Sequence, residues 1–100
     1  MYHQLIGRPA GVYDRTPAAF RAEMERLARE DYVPVTARDF QTGRIDIPAG
    51  THPVVLTFDD STNSQVRLGP GGVPSPNTAV AIVAGTAAKL PSLKPVATFF

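Results

Sequence analysis

Apolar residues recur along this chain at two periods, and each period predicts a different element. Phe20, Met24, Leu27 and Ala28 fall on one stripe at helical spacing. Arg21, Glu25, Arg26, Arg29 and Glu30 take the other face, so the predicted helix needs a core on one side only. Thr16 offers an N-cap oxygen and Pro17 suits the first helical position. Glu25 and Arg29 form a favourable i,i+4 pair, worth about 0.2–0.5 kcal/mol. A second helix is predicted where Ser75 caps and Pro76 follows, with Val80, Val83, Ala84, Ala87 and Leu90 on one side. Gly85 weakens it by about 1 kcal/mol relative to Ala, and Pro91 ends it.

The shorter apolar runs read as strands. Met1–Ile6 leans apolar, with Tyr2 and Ile6 favouring extended backbone. Tyr32, Val33 and Val35 predict a short strand that Pro34 confines to an edge or a strand start. Ile45–Ile47 is a brief candidate inside a turn-rich connection. Val54–Phe58 is the clearest run, and its nearly continuous apolar character suits a strand covered on both faces. Ser61–Pro74 reads as a long loop, and Val96–Phe100 as a last apolar strand. The order strand, helix, strand, strand, helix, strand predicts an α/β fold with a parallel sheet. Sites in such folds gather at the carboxyl ends of strands.

Composition narrows the choices. A chain of 100 residues is a single domain at most, residues 1–100. Ten basic and nine acidic residues leave a net charge of +1 with no basic cluster, which argues against nucleic acid or an anionic membrane as partner. The absence of cysteine excludes disulfides, thiolate nucleophiles and cysteine-ligated zinc. No apolar run is long enough to span a membrane, and no basic-then-apolar leader opens the residues from Met1. The ten prolines lie between elements, as punctuation. The pattern breaks off inside Val96–Phe100 and opens directly on Met1–Ile6. A strand of that kind needs neighbours, so the expectation is a fragment, cut at the C-terminus and also at the N-terminus.

Asp59 and Asp60 stand at the carboxyl end of the best strand. Adjacent ionised carboxylates repel, and a shared proton or a cation relieves them. At a strand end the backbone turns, so one carboxylate can ligate a metal while the other takes a proton from a water. The plainer alternative is a polar strand terminus that starts an Asx-turn. Ser61, Thr62 and Asn63 fit either account, as turn caps or as hydrogen-bonding partners of Asp59 or a substrate. His3 at the end of the first run is a candidate pocket residue or a structural hydrogen-bonder. His52 reads as a solvated turn residue. Gly69–Gly72 lacks the G-K-[ST] ending of a phosphate loop. Tyr2, Tyr13 and Tyr32 are too scattered to form a sugar-stacking set.

The wording around the aspartates adds to this. "PVVLTFDDS", then "PSPNTAVAIV", then "PVATFF" resembles the polysaccharide deacetylase family, the NodB-homology domain of carbohydrate esterase family four. "MYHQL", "TPAAFRAEMERLAREDYVPVT" and "IPAGTHPVVLTFDD" are similar to the N-terminal part of one branch of that family. The resemblance covers essentially the whole chain, but only the first part of a family domain. It implies a truncated portion of a distorted (β/α) barrel. It implies a metal-dependent hydrolase that removes acetyl groups from a polysaccharide, amide hydrolysis first, with a divalent metal such as zinc. By the same resemblance Asp59 matches the catalytic base and Asp60 the metal ligand, with His3 and Ser61 as substrate-binding candidates. The setting it implies is secreted or in a bacterial cell envelope.

The sequence also departs from that family. The metal site there takes two histidines in H-x-x-x-H, and later motifs supply the acid. This chain has only His3 and His52, both before the aspartates. Ser61 stands where glycine commonly follows the pair, and the loop to Pro74 is longer than in short members. A catalytic zinc wants three protein ligands, so the 100 residues alone are expected to bind metal poorly and to show no activity. Two other classes compete. One is a non-catalytic remnant that does nothing or binds glycans only. The other is a phospho-receiver domain with an acidic pair for magnesium, for which Asp39 is poorly placed as the phosphorylated residue.

Overall fold

The computed structural model describes all 100 residues. The elements run α1 (Pro17–Arg29), β1 (Tyr32–Val35), α2 (Ala37–Thr42), β2 (His52–Val55), β3 (Thr57–Phe58), α3 (Ala79–Lys89) and β4 (Thr98–Phe99). The result is a small mixed α/β domain with short strands and no closed sheet. No helix is long and apolar enough to cross a membrane.

The pairing is parallel throughout the named strands. β1 runs beside β2, with Val33 opposite Pro53 and Val35 opposite Val55. β3 runs beside β4, with Phe58 opposite Phe99. Tyr2 also bridges Phe58 in parallel, so three chain segments meet at the end of β3. The apolar run at 54–58 was expected as one strand and is divided at Leu56. Residues 52–55 pair with β1, whereas Thr57 and Phe58 pair with Tyr2 and β4, so the ladder changes partner at that point. β1 pairs with β2 alone, and there Pro34 needs no donor on its open side.

α1 matches its sequence signals. Thr16 Oγ1 accepts from Ala19 N–H at 3.0 Å, and Phe20, Met24 and Ala28 are buried. Arg29 and Glu25 pair at 3.8 Å, and Arg26 and Glu30 pair beside them at 3.0 Å. The core gathers Tyr2, Leu5, Phe20, Met24, Leu56, Phe58 and the inner side of α3, closed by Leu93. Phe20 meets Tyr2 edge-on with ring centroids 5.0 Å apart, and Phe58 stacks on Tyr2 at 5.3 Å.

Several expectations are corrected. Met1–Ile6 forms no strand. Tyr2 and Leu5 make isolated bridges only, because the segment's other groups bond to loops. Ile45–Ile47 is irregular and carries no pairing. α2 was not expected, since its six residues bury none and so show no apolar stripe. Its end signals are nonetheless present: Thr36 caps Asp39 N–H, and Gly43 closes it at φ 77°. The last strand is reduced to Thr98–Phe99. α3 begins at Ala79 with Thr78 as its cap, not at Ser75 and Pro76. Ser75 to Thr78 is a turn closed by Thr78 N–H on Ser75 O, and the first helical N–H groups go to the loop instead. Ala79 N–H reaches Ser64 O and Val80 N–H reaches Gln65 O, each at 3.0 Å. The buried face of α3 is consequently Ala79, Ile82, Val83 and Thr86, while Ala84 is exposed.

Candidate functional site

β3 delivers Asp59 and Asp60 at its carboxyl end. Asp59 N–H donates to Tyr2 O at 3.0 Å, and so still belongs to the ladder. The chain then leaves the strand sharply. Asp60 has φ 74° and Ser61 φ 49°, two successive residues in the left-handed region. Neighbouring side chains on a strand point to opposite faces. The left-handed turn cancels that alternation, and both carboxylates converge on the His3 ring. Nδ1 of His3 lies 3.4 Å from Asp60 Oδ2, and Nε2 lies 3.9 Å from Asp59 Oδ2. Both separations are longer than a good direct hydrogen bond.

His3 reaches this position through the N-terminal segment. Its N–H donates to Tyr13 O at 2.9 Å, and its ring lies against the Tyr13 ring with centroids 5.0 Å apart. His3 is partly buried, Asp59 partly buried and Asp60 exposed, so the cluster faces solvent on one side. A cleft of about 330 Å³ lies between Gln4–Ile6, Thr62–Ser64 and Asn77, and His3, Asp59 and Asp60 do not line it.

The residues after the aspartates build the support. Ser61 Oγ donates to Phe100 O at 3.1 Å. Thr62 Oγ1 donates to His3 O at 3.3 Å, and Ser64 Oγ accepts from Leu5 N–H at 3.0 Å. Ser61, Thr62 and Asn63 were candidate partners of the Asp59 carboxylate, and none of them bonds to it; the Ser61 and Thr62 hydroxyls go to backbone carbonyls, and the Thr62 and Ser64 hydroxyls also meet at 2.6 Å. Gln65 is 1 % exposed, and its Nε2 donates to the carbonyls of both His3 and Asp59. Sequence pattern gave no warning of Gln65. A glutamine in a polar loop reads as solvated, and only the fold shows that it is enclosed.

A different electrostatic cluster surrounds the buried Tyr2. Tyr2 Oη donates to Glu23 Oε2 at 2.7 Å, and Arg15 pairs with the other oxygen of Glu23. Burial first, then the Glu23 carboxylate, pushes the Tyr2 phenol well above its ordinary range, with Arg15 opposing. This cluster joins the N-terminal segment to α1, and its side chains make no hydrogen bond or ion pair with the aspartates.

The remaining candidates stay apart. His52 opens β2, exposed, with its ring 5.3 Å from that of Tyr32. A separate groove of about 200 Å³ lies between α1 and α3, lined by Arg21, Glu25, Ile82 and Gly85 among others. Two carboxylates and one imidazole are suitable donors for a divalent ion, yet no three such groups are arranged to hold one. The residues present therefore do not make a complete metal site. No family model, curated protein or solved structure matches the chain.

Proposed function

We propose that the chain is the N-terminal portion of a NodB-type polysaccharide deacetylase, in which Asp59 acts as the general base. The observation that carries this reading is the end of β3, where T-F-D-D wording coincides with two successive carboxylates turned onto one imidazole. Asp59 takes the proton of a water that attacks an acetyl carbonyl. His3 beside it offers donors to a sugar hydroxyl or to the Asp59 carboxylate, and Ser61 lines the same edge. Asp60 is the contribution of this chain to a divalent ion, zinc being the proposed one. The two further ligands such an ion needs are not among these side chains. The substrate is an acetylated polysaccharide, which places the reaction in a secreted or cell-envelope setting.

Acetate release from a chitin oligomer and from acetylated xylan, with and without added zinc, tests the reading. Zinc-dependent release from the protein that carries this chain, lost in Asp59→Asn, supports it. A rate unchanged in Asp59→Asn removes Asp59 from the role of base. The 100 residues alone are expected to release no acetate. A second reading, glycan binding without catalysis, is favoured by the lone imidazole at the site. Saturation transfer from the His3 and Tyr13 rings to an oligosaccharide, without acetate release, would select it.

A further inference from the structure

Gln65 is the one nearly inaccessible polar side chain that touches both halves of the His3–Asp59–Asp60 cluster. The two halves come from distant parts of the chain. The imidazole rides on the N-terminal segment, and the carboxylates ride on the end of β3. Their direct backbone link is the pair Tyr2 N–H to Thr57 O at 2.8 Å and Asp59 N–H to Tyr2 O at 3.0 Å. That ladder ends at Tyr2, one residue before the imidazole. Beyond it, the carbonyls of His3 and Asp59, on two partly buried residues, take their donors from side chains, and a partly enclosed carbonyl that loses its donor carries a cost.

A primary amide has two N–H donors on one nitrogen, and Gln65 Nε2 places them on these two carbonyls, at 2.8 Å for His3. No single hydroxyl hydrogen serves both. Thr62 adds only a longer bond to the His3 carbonyl, at 3.3 Å. The backbone of Gln65 is itself held, since its N–H donates to Thr62 O and its carbonyl accepts from Val80 N–H, each at 3.0 Å. The clamp is thus anchored to the start of α3. A shift of either carbonyl would move the imidazole relative to the carboxylates.

We propose that Gln65 is a positioning residue: its buried carboxamide sets the spacing between the imidazole of His3 and the carboxylates of Asp59 and Asp60. The importance of that spacing rests on the deacetylase reading above, but the spacing itself is measurable without any reaction.

Gln65→Met keeps the volume and removes both donors, and Gln65→Glu replaces them with an oxygen facing two carbonyls. Thr86→Val is the control, a buried hydroxyl on α3 that bonds Ile82 O and lies outside the cluster. NMR on the whole chain gives two readouts. One is the set of cross-peaks from the His3 ring protons to the β-protons of Asp59 and Asp60, which report the spacing itself. The other is hydrogen-exchange protection of the Asp59 amide, relative to that of Met24 in α1. Both Gln65 variants should lose the cross-peaks and lower the protection ratio at least tenfold. Thr86→Val should lower the melting temperature while leaving both readouts intact. Gln65 variants that melt earlier but keep the cross-peaks and the ratio would overturn the proposal and leave Gln65 a packing residue. Absence of zinc-dependent acetate release from the protein that carries this chain would remove the deacetylase reading, while these two readouts on the 100 residues would still decide the role of Gln65.

Discussion

Tyr2 and Phe99 stand at opposite ends of one aromatic row, with Phe58 between them. The three residues are register partners across neighbouring segments, and Phe58 stacks on Tyr2 at 5.3 Å and on Phe99 at 5.0 Å. The Tyr2 end is closed. Phe20 covers it from α1, Glu23 takes its hydroxyl, and Tyr2 is 8 % exposed. The Phe99 end is open, at 46 % exposure, beside a concave apolar surface of Val80, Val83, Ala84 and Pro95–Ala97. The helices differ in the same sense. α1 turns ion pairs to solvent, whereas α3 between Ala79 and Gly85 has no charged residue at all. Similar strand chemistry thus yields a sealed core on one side and an exposed apolar face on the other. What differs is the layer above it: an amphipathic helix seals only the strands it lies on.

The largest expected effect tests that asymmetry directly. Phe20→Ala should cost about 3–5 kcal/mol, because Phe20 is fully buried, whereas Phe99→Ala, at 46 % exposure, should cost about 1 kcal/mol. Urea denaturation of both variants measures the contrast, and equal losses would mean that the open end is as well packed as the closed one. The caps come next. Thr78 is buried and its hydroxyl also donates to Ser75 O, so Thr78→Ala should cost about 2 kcal/mol. The more exposed Thr16 cap should cost about 1 kcal/mol. Thermal melts that rank them the other way would show that burial adds nothing to a cap here.

The closed end should also be visible in pH dependence. Folded Tyr2 holds its proton above the ordinary phenol value, so its contribution is complete below about pH 10, where the unfolded chain also keeps the proton. Above that pH the unfolded state binds fewer protons than the folded one. Stability then falls as pH rises toward the raised folded value, by up to about 1.4 kcal/mol per pH unit for this one group. The urea midpoint of the wild type should drop more steeply above pH 10 than that of Tyr2→Phe. Parallel curves would mean that the hydroxyl titrates as freely as one in water.

The smallest effect lies at the site. Ser61 occupies left-handed backbone that glycine adopts without strain, and Ser61→Gly should stabilise by up to about 1 kcal/mol. The loss of its exposed bond to Phe100 O offsets part of the gain. A destabilised Ser61→Gly, read by urea denaturation, would mean that this bond outweighs the strain.

Local signals in the sequence determined much of this protein. Thr16, Pro17 and the stripe through Ala28 specify α1, since a cap, a fixed φ and a 3.6-residue period act within one element. The apolar run before Asp59 and Asp60 also marks a strand that ends in two carboxylates, although it does not show the change of pairing partner at Leu56. The T-F-D-D wording raised a chemistry for that end, but no pattern says where the carboxylates point. Only the tertiary structure decided the rest. The start of α3 moved to Ala79 because carbonyls of Ser64 and Gln65 accept its first N–H groups. The left-handed turn at Asp60 brought both carboxylates to His3, more than fifty residues earlier in the chain. Gln65 became a buried clamp because the N-terminal segment crosses above it. Hydrogen-bond partners far apart in sequence leave no period and no spacing to read, so their pairing exists only once the chain has folded.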